Sequence, residues 1–376
     1  MFLAIPLTYA YAAEIDEVKA AIVKKGASWV AEENKISALP TAERNKRLGA
    51  LPFKGMPPGH KTLTPAEVPE NMKILPPAGT PAGTPLPSAK NPWDWRNSCY
   101  DYSATYPKLK GCCIPGRSPS APPVCGDFVT SVKDQGNCGS CWAFSPTGAL
   151  ESQFLIKFLT PGKNLNLSEQ ILISCMGDLT QTGDTGCSGG YTTDAAQFFY
   201  DSGTGLESCY PYKAKDPSES AWKCSRACVN WHFLPYALKA SGSADYGTQA
   251  SPSVDQLKSM IITYGPVAVT MGVFDDFYSY KSGVYQYTYG LFEGGHAVEV
   301  VGFTDDTSVP AWDGGYFIVK NSWGSGFGMS GYFNIAYSEV SNTCGLPYHC
   351  VSFGSWGTNP AVFYYGVRRS IRYFTD

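Results

Sequence analysis

Cys141 stands in the stretch Gln135-Gly-Asn-Cys138-Gly-Ser-Cys141-Trp-Ala-Phe144, a glycine- and serine-rich turn that runs into an apolar, helix-capable segment. A thiol in the first turn of a helix gains from unpaired backbone N–H groups and from the helix dipole, so a nucleophile can be built there. The spacing of Cys138 and Cys141 is also that of a redox pair or of half a metal site. Residues far downstream separate these readings. Gly294-Gly-His296-Ala-Val-Glu-Val supplies an imidazole, and Lys320-Asn321-Ser-Trp323-Gly supplies a side-chain amide beside an aromatic ring. A thiol, an imidazole to take its proton and an amide to orient that imidazole are the parts needed for nucleophilic attack on a carbonyl. No βαβ pattern surrounds the two cysteines, which argues against a thioredoxin-like pair.

In these three motifs the chain resembles the papain-like cysteine peptidases. The resemblance implies a role for each position. Cys141 is the nucleophile; His296 is first its general base or ion-pair partner, then the acid for the leaving amine. Asn321 fixes the imidazole tautomer, and Trp323 shields that hydrogen bond from water. Gln135 and the backbone N–H of Cys141 would donate to the developing oxyanion. Gly186-Cys187-Ser-Gly189-Gly190-Tyr191 resembles the family's glycine strip, where Gly189 and Gly190 let an extended peptide approach the backbone. Gly295 and Trp323 would complete the substrate contacts. By the same resemblance Cys138 pairs with Cys187, and Cys175 pairs with Cys224 or Cys228, while Cys209 has no assigned partner. The implied fold is α+β with two lobes: a helical lobe carries Cys141, an antiparallel β-barrel-like lobe carries His296 and Asn321, and the active cleft lies between them.

Composition agrees with a secreted or lysosomal/vacuolar enzyme. All thirteen cysteines lie between Cys99 and Cys350, as expected of a disulfide framework formed in an oxidising compartment, and the odd count leaves one thiol for chemistry. Charged residues make up only 16% of the 376, with a formal net charge of -3, and nothing here asks for a nucleic acid. The proposed chemistry needs no cofactor or metal, and four His leave little room for a metal site. No stretch reaches the roughly 18 uninterrupted apolar residues of a spanning helix. The expected partners are polypeptide substrates, the chain's own N-terminal segment and cystatin-type inhibitors, with the protein a monomer and not bound to a membrane.

Composition also divides the chain. Residues 1–13 are apolar with small residues at Ala10 and Ala12, as in a signal peptide that has lost its basic start. Ile15, Val18, Ile22 and Val23 then recur at helical spacing, and Thr41 is a candidate cap for a second short helix reaching Leu48. Neither helix is long enough to be stable alone, so both must pack on something. Trp29 to Asn34 and Arg47-Leu48-Gly49 resemble the short pro-segment of the cathepsin B branch, which implies that residues 14–90 form an intramolecular inhibitor laid backwards through the cleft. Its second half is a proline-rich connector, with processing expected between about Pro76 and Pro92.

Residues 91–376 form the peptidase domain: 127–228 mainly the helical lobe, 229–345 mainly the β lobe, 346–376 a C-terminal extension. Residues 97–126 are an inserted loop with Cys99, Cys112, Cys113 and Cys125 and little expected regular structure. Near the cleft such a loop would restrict substrate entry and make the enzyme an exopeptidase; otherwise endopeptidase action is expected. A non-catalytic surface binding protein is the alternative from another class. One local signal opposes the helix that should carry Cys141. Pro146 falls beyond its first turn, so either that turn is distorted or the helix proper runs from about Thr147 to Phe158.

Overall fold

A computed structural model describes residues 7–51, 62–63, 89–118, 120–180, 186–213, 223–229, 231, 243–244 and 253–339. The connector and the C-terminal extension therefore lie almost wholly outside the described residues.

The helical lobe is built round one buried helix. We label the helices α1 (Leu7–Lys25), α2 (Thr41–Arg44), α3 (Cys141–Phe158), α4 (Glu169–Thr180), α5 (Thr192–Asp201) and α6 (Val254–Tyr264). Every residue of α3 from Cys141 to Ile156 is buried. A helix with no solvent face is a core element, and α4 and α5 pack their apolar sides against it through Ile171, Leu172, Phe198 and Phe199. Pro146 does not interrupt it: α3 is continuous from Cys141. Proline leaves the Trp142 carbonyl without its usual partner, but burial on all sides holds the backbone, and the Thr147 hydroxyl donates to Ala143 O at 2.8 Å within the same turn.

The second lobe is a curled seven-stranded sheet. In chain order its strands are β1 (Ala89–Asp94), β2 (Ser98–Tyr100), β3 (Val267–Phe274), β4 (Val284–Tyr285), β5 (Phe292–Asp305), β6 (Gly315–Lys320) and β7 (Tyr332–Ala336). They lie in the order β4-β7-β6-β5-β1-β2, with β3 also on β5, and every pairing is antiparallel except the short β4–β7 one. The 14-residue β5 thus joins three strands and is buried from His296 to Phe303. Its register with β6 sets Glu299 opposite Lys320, and the two side chains form an ion pair at 3.1 Å.

That pair belongs to a buried set of charges between the lobes. Lys133 Nζ lies 2.7 Å from Glu151 and 2.6 Å from Glu169. Thr130 donates to Glu151 and accepts from Lys320. Ser152 on α3 donates to Glu299 at 2.9 Å. Gly148 is where α3 admits the Glu299 carboxylate, because a Cβ there would overlap Oε2. Removing one partner from such a network costs about 3–5 kcal/mol, since the other charge stays buried.

The N-terminal segment docks mainly on the β lobe. Val18 and Ile22 of α1 are buried, and Trp29 lies among Tyr280 and Tyr285 with its Nε1 donating to Gln286 O at 2.9 Å. Val30–Ala31 pairs antiparallel with Tyr280–Ser282. Gly283, at φ +90°, lets this strand come close, since a Cβ there would meet the backbone of Ser28 and Trp29 at 2.8 Å. α2 is one turn followed by a 3₁₀ turn over Asn45–Arg47. Thr41 lies inside α2 and Pro40 takes the cap position, so the Thr41 hydroxyl accepts from Arg44 at 3.0 Å instead of capping.

The inserted loop has more order than its composition suggests. Cys112–Ile114 and Val124–Gly126 form a hairpin, and disulfides join Cys99 to Cys112 and Cys113 to Cys125. It sits at the C-terminal end of α3: Arg117 donates to Phe158 O at 3.1 Å, and a Cβ on Gly126 would meet Pro161 at 2.7 Å. An 18-residue helix spans about 27 Å, so the loop is a helix length from Cys141 and does not border the thiol.

Candidate active site

Cys141 is the first residue of α3, and the sequence frees that helix end for it. Ser140 could cap the helix with its hydroxyl but does not; Oγ instead pairs with Tyr212 OH at 2.8 Å. Tyr212 OH donates onward to Gln135 O at 2.7 Å, and its ring packs edge-on to Phe144 at 4.9 Å. The unpaired donors of the first turn are therefore left for the sulfur.

His296 and Asn321 come from β5 and the end of β6. His296 Nε2 and Asn321 Oδ1 are 2.8 Å apart, which makes Nε2 the protonated nitrogen and leaves Nδ1, fully buried and without a hydrogen-bond partner, to accept a proton. The Trp323 ring covers this bond at 4.7 Å from the imidazole. Ala297, next to His296, packs on Cys141, and the thiol lies against its backbone N–H.

Gln135 is held from three sides. Its backbone N–H donates to Ser322 O at 2.9 Å, its Oε1 accepts from Ser322 Oγ at 2.6 Å, and its Nε2 donates to Cys138 O at 2.7 Å. Ser322 N–H also donates to Asn321 Oδ1 at 2.7 Å. One serine thus orients both side-chain amides of the site. Sequence reasoning gave no site role to Ser322, Ser140 or Tyr212: the first two lie inside motifs already quoted, Tyr212 ends the Cys209-Tyr-Pro-Tyr212 stretch, which by resemblance only closes the first lobe, and a hydroxyl next to a catalytic candidate was the available signal for the two serines.

The glycines frame a bound backbone. Gly190 N–H donates to Gly49 O at 2.9 Å, Leu51 N–H donates to Gly190 O at 3.1 Å, and Ala50 N–H donates to Gly295 O at 3.1 Å. A Cβ on Gly295 would overlap Ala50 O, and one on Gly189 would meet Gly49 O at 2.9 Å. Gly190 has a different reason to be bare: a Cβ there would meet the Trp142 ring at 2.5 Å. Cys138 is bonded to Cys187, fixing the strip beside the nucleophile turn; Cys175 is bonded to Cys224 and Cys209 to Cys228. Among the described cysteines Cys141 is the free one.

Residues 47–51 seal the site. Ala50 packs directly on Cys141 and Ala297, and Arg47 O accepts from Gln135 Nε2 at 2.9 Å. Burial beneath this segment pushes the Cys141 thiol up to about 11, against the backbone N–H groups of Ala297, Gly49, Trp142 and Ala50 that favour the thiolate. Burial likewise pushes His296 down to about 4, and its bond to Asn321 opposes this only in part. Near neutral pH both groups are therefore uncharged in the covered state. No group of three or more His, Cys, Asp or Glu that could hold a metal occurs among the described residues.

The sequence profile of the papain family of cysteine proteases matches residues 124–353, more than half of the chain. The chain belongs to that family. It is 37% identical over 219 residues to the cathepsin B-like CP3 of Giardia intestinalis, a match covering 58% of this chain and 67% of that one. It is 40% identical over 224 residues to a cathepsin L-like protein of Caenorhabditis elegans, covering 58% and 59%. Matches of this kind span two thirds or less of the relatives' own length. Among solved structures, the fold is similar to proCathepsin B S9 from Trypanosoma congolense (TM-score 0.61, 21% identity, covering 93% of this chain and 97% of that one). It is also similar to a digestive procathepsin L2 from Tenebrio molitor (TM-score 0.60, 25% identity, covering 96% and 95%). Both likenesses extend over the N-terminal segment as well as the two-lobed papain fold.

Proposed function

We propose that the chain is the zymogen of a cysteine endopeptidase, with residues up to about 90 as its inhibitory pro-segment. The observation that carries this is the seal over the thiol. Ala50 pairs with Gly190 in a parallel bridge, and the sulfur meets the N–H groups of Gly49 and Ala50. The segment fills the peptide-binding backbone positions, turns N–H groups toward the nucleophile, and places Arg47 O on the Gln135 donor. A chain laid backwards through the cleft inhibits without being cut.

Once the segment leaves, water returns to the cleft and both pKa shifts relax. His296 Nδ1 takes the Cys141 proton, and the thiolate sulfur forms a bond to the carbonyl carbon of an extended polypeptide held on Gly190 and Gly295. Gln135 Nε2 and the Cys141 N–H donate to the oxyanion. The imidazolium then returns its proton to the leaving amine as the C–N bond breaks, and a water, deprotonated by His296, hydrolyses the acyl-enzyme. Asn321 keeps the imidazole in one tautomer throughout, with Ser322 holding that amide and Gln135 in place.

Endopeptidase action is favoured because the stapled insert lies at the far end of α3 and closes neither end of the cleft near Cys141. Five disulfides among the described residues support a secreted or lysosomal/vacuolar site of action. No helix among the described residues is long and apolar enough to cross a membrane. A monomer with cystatin-type inhibitors as further partners completes the reading.

The test is to incubate the full chain at about pH 5 and follow its intact mass, with Cys141→Ala beside it. Loss of roughly 75 to 92 residues in the parent alone is the expected result. If both samples stay whole, and a thiol-reactive peptide epoxide leaves Cys141 unlabelled after separate trimming, a non-catalytic binding role replaces this one.

A further inference from the structure

The pro-segment differs in chemistry on the two sides of the thiol. From Gly190, which Gly49 and Leu51 bracket, it passes Cys141, reaches Gln135 through Arg47 O and continues to Asn45, whose side chain accepts from Tyr278 OH at 2.7 Å and donates to Glu293. A peptide held on Gly190 with its scissile carbonyl at Cys141 and Gln135 sends its leaving portion the same way. Residues 44–47 therefore stand where the residues after the scissile bond would lie, whereas Ala50 and Leu51 stand where the acyl portion would.

The leaving side holds two buried arginines. Arg44 is 1% exposed and Arg47 9%, and the Nε of each has no hydrogen-bond partner. Arg44 lies over the Tyr278 ring at 5.0 Å and is paired with Glu14 of its own segment at 2.9 Å. Arg47 Nη1 donates to Glu43 O, also within the segment, at 3.2 Å. What the wall of the cleft supplies is negative charge and a ring face. Glu293 accepts from Asn45, lies beside Asp275 and sits in the field of Arg44, while Asp134 attracts Arg47. Burial and then the like charge of Asp275 push the Glu293 carboxyl up, a strain that an incoming cation relieves. When the segment leaves, Glu14 and Glu43 go with it; Glu293 and the Tyr278 ring lose Arg44, and Asp134 loses Arg47.

We propose that Glu293, Asp275 and Tyr278 form a leaving-side subsite that selects arginine or lysine within the first residues after the scissile bond of polypeptide substrates. The proposal rests on the peptidase reading above. Its test uses the full chain after removal of its pro-segment and three internally quenched peptides. These are identical except for Arg, Ala or Glu at the two positions after the bond cut, with the cleavage point verified by product mass. The Arg peptide should be cleaved with a kcat/KM about fivefold above the Ala peptide, and the Glu peptide should be poorer than both. Glu293→Gln should collapse the ratio of the Arg to the Ala peptide's kcat/KM, and Glu293→Lys should make Glu the preferred residue. Equal rates for the three peptides, or a preference unchanged in Glu293→Lys, overturn the subsite while leaving the peptidase intact. If none of the peptides is cut, the peptidase reading fails and the subsite with it.

Discussion

The two ends of α3 are each covered by an element outside the two-lobed core, and the covers are fastened in different ways. At the Cys141 end lie residues 47–51, held in the cleft by main-chain hydrogen bonds and by close contact of glycines and alanine. At the Phe158 end lies the 97–126 insert, tied to the sheet through β2 and to α3 through Arg117, and stiffened from within by two disulfides and a hairpin. A cover held by backbone bonds of about 0.5–1.5 kcal/mol each can leave as a unit once the chain is cut beyond it; an insert joined to the peptidase domain at both ends, and cross-linked within itself, stays in place. The difference assigns regulation to the first and stability to the second.

The removable cover owes its affinity to contacts far from the thiol. Trp29 is 2% exposed among Tyr280 and Tyr285, and truncating a buried tryptophan costs about 3–5 kcal/mol. Trp29→Ala should therefore give the largest effect of any single change in the segment, raising the open population by two orders of magnitude or more. The rate of Cys141 alkylation at neutral pH reads this directly. An unchanged rate would mean that the cleft contacts, and not the anchor, hold the cover.

Gly49→Ala should act next most strongly, because a Cβ there would overlap the Gly139 carbonyl. Neither residue can give way without displacing the nucleophile turn, so the three bonds to Gly190 and Gly295 must loosen. We expect a loss of about 2–3 kcal/mol in closure, seen as faster autoprocessing with the mature activity unaltered. Slower processing would place the loss in the enzyme instead of its cover.

Both effects can be tuned by pH, and the direction follows from the buried pair. His296 is held at about 4 while covered, below the usual range for the group, so opening takes up a proton. Closure weakens as pH falls from the ordinary histidine range towards 4. The covered thiol, at about 11, makes closure weaken again as pH rises above the ordinary thiol range. Between these limits closure is strongest. Divided by the rate of the separately trimmed chain at the same pH, which removes the thiol's own titration, alkylation of the wild-type chain should be slowest near neutrality and rise towards both ends, while Trp29→Ala should show a flatter profile. A wild-type profile rising only with alkali would remove His296 from the acid limb.

Which parts of this were legible in the sequence depends on how local the cause is. Cys141, His296, Asn321 and Gln135 could be named because the chemistry demands those side-chain types and leaves few substitutes. The continuous α3 could not be read, because Pro146 is unfavourable by local propensity and only burial from every side overrides it. Gly190 was legible as a glycine but not for its reason, since the Trp142 ring that excludes a Cβ comes from another element. Ser322 was hidden by its ordinariness: its hydroxyl matters through Gln135, which is distant in the chain. The insert's place at the far end of α3 follows from Arg117 meeting Phe158 O, a contact that neither composition nor spacing encodes.

The smallest effect on activity should come from the stapled cover. Replacing Cys113 and Cys125 by serine opens a disulfide of sequence separation 12 and should cost about 2–3 kcal/mol of stability, measurable as a lower thermal midpoint. Arg117→Ala should cost less, since it removes one partly exposed bond to the end of α3. Because the insert lies about 27 Å along the helix from Cys141, kcat/KM on internal peptide bonds should be unchanged in both variants. A change in kcat/KM without a matching loss of folded protein would show that the insert reaches the cleft through contacts with substrate. The two covers would then no longer be opposites, and the exopeptidase alternative would regain its footing.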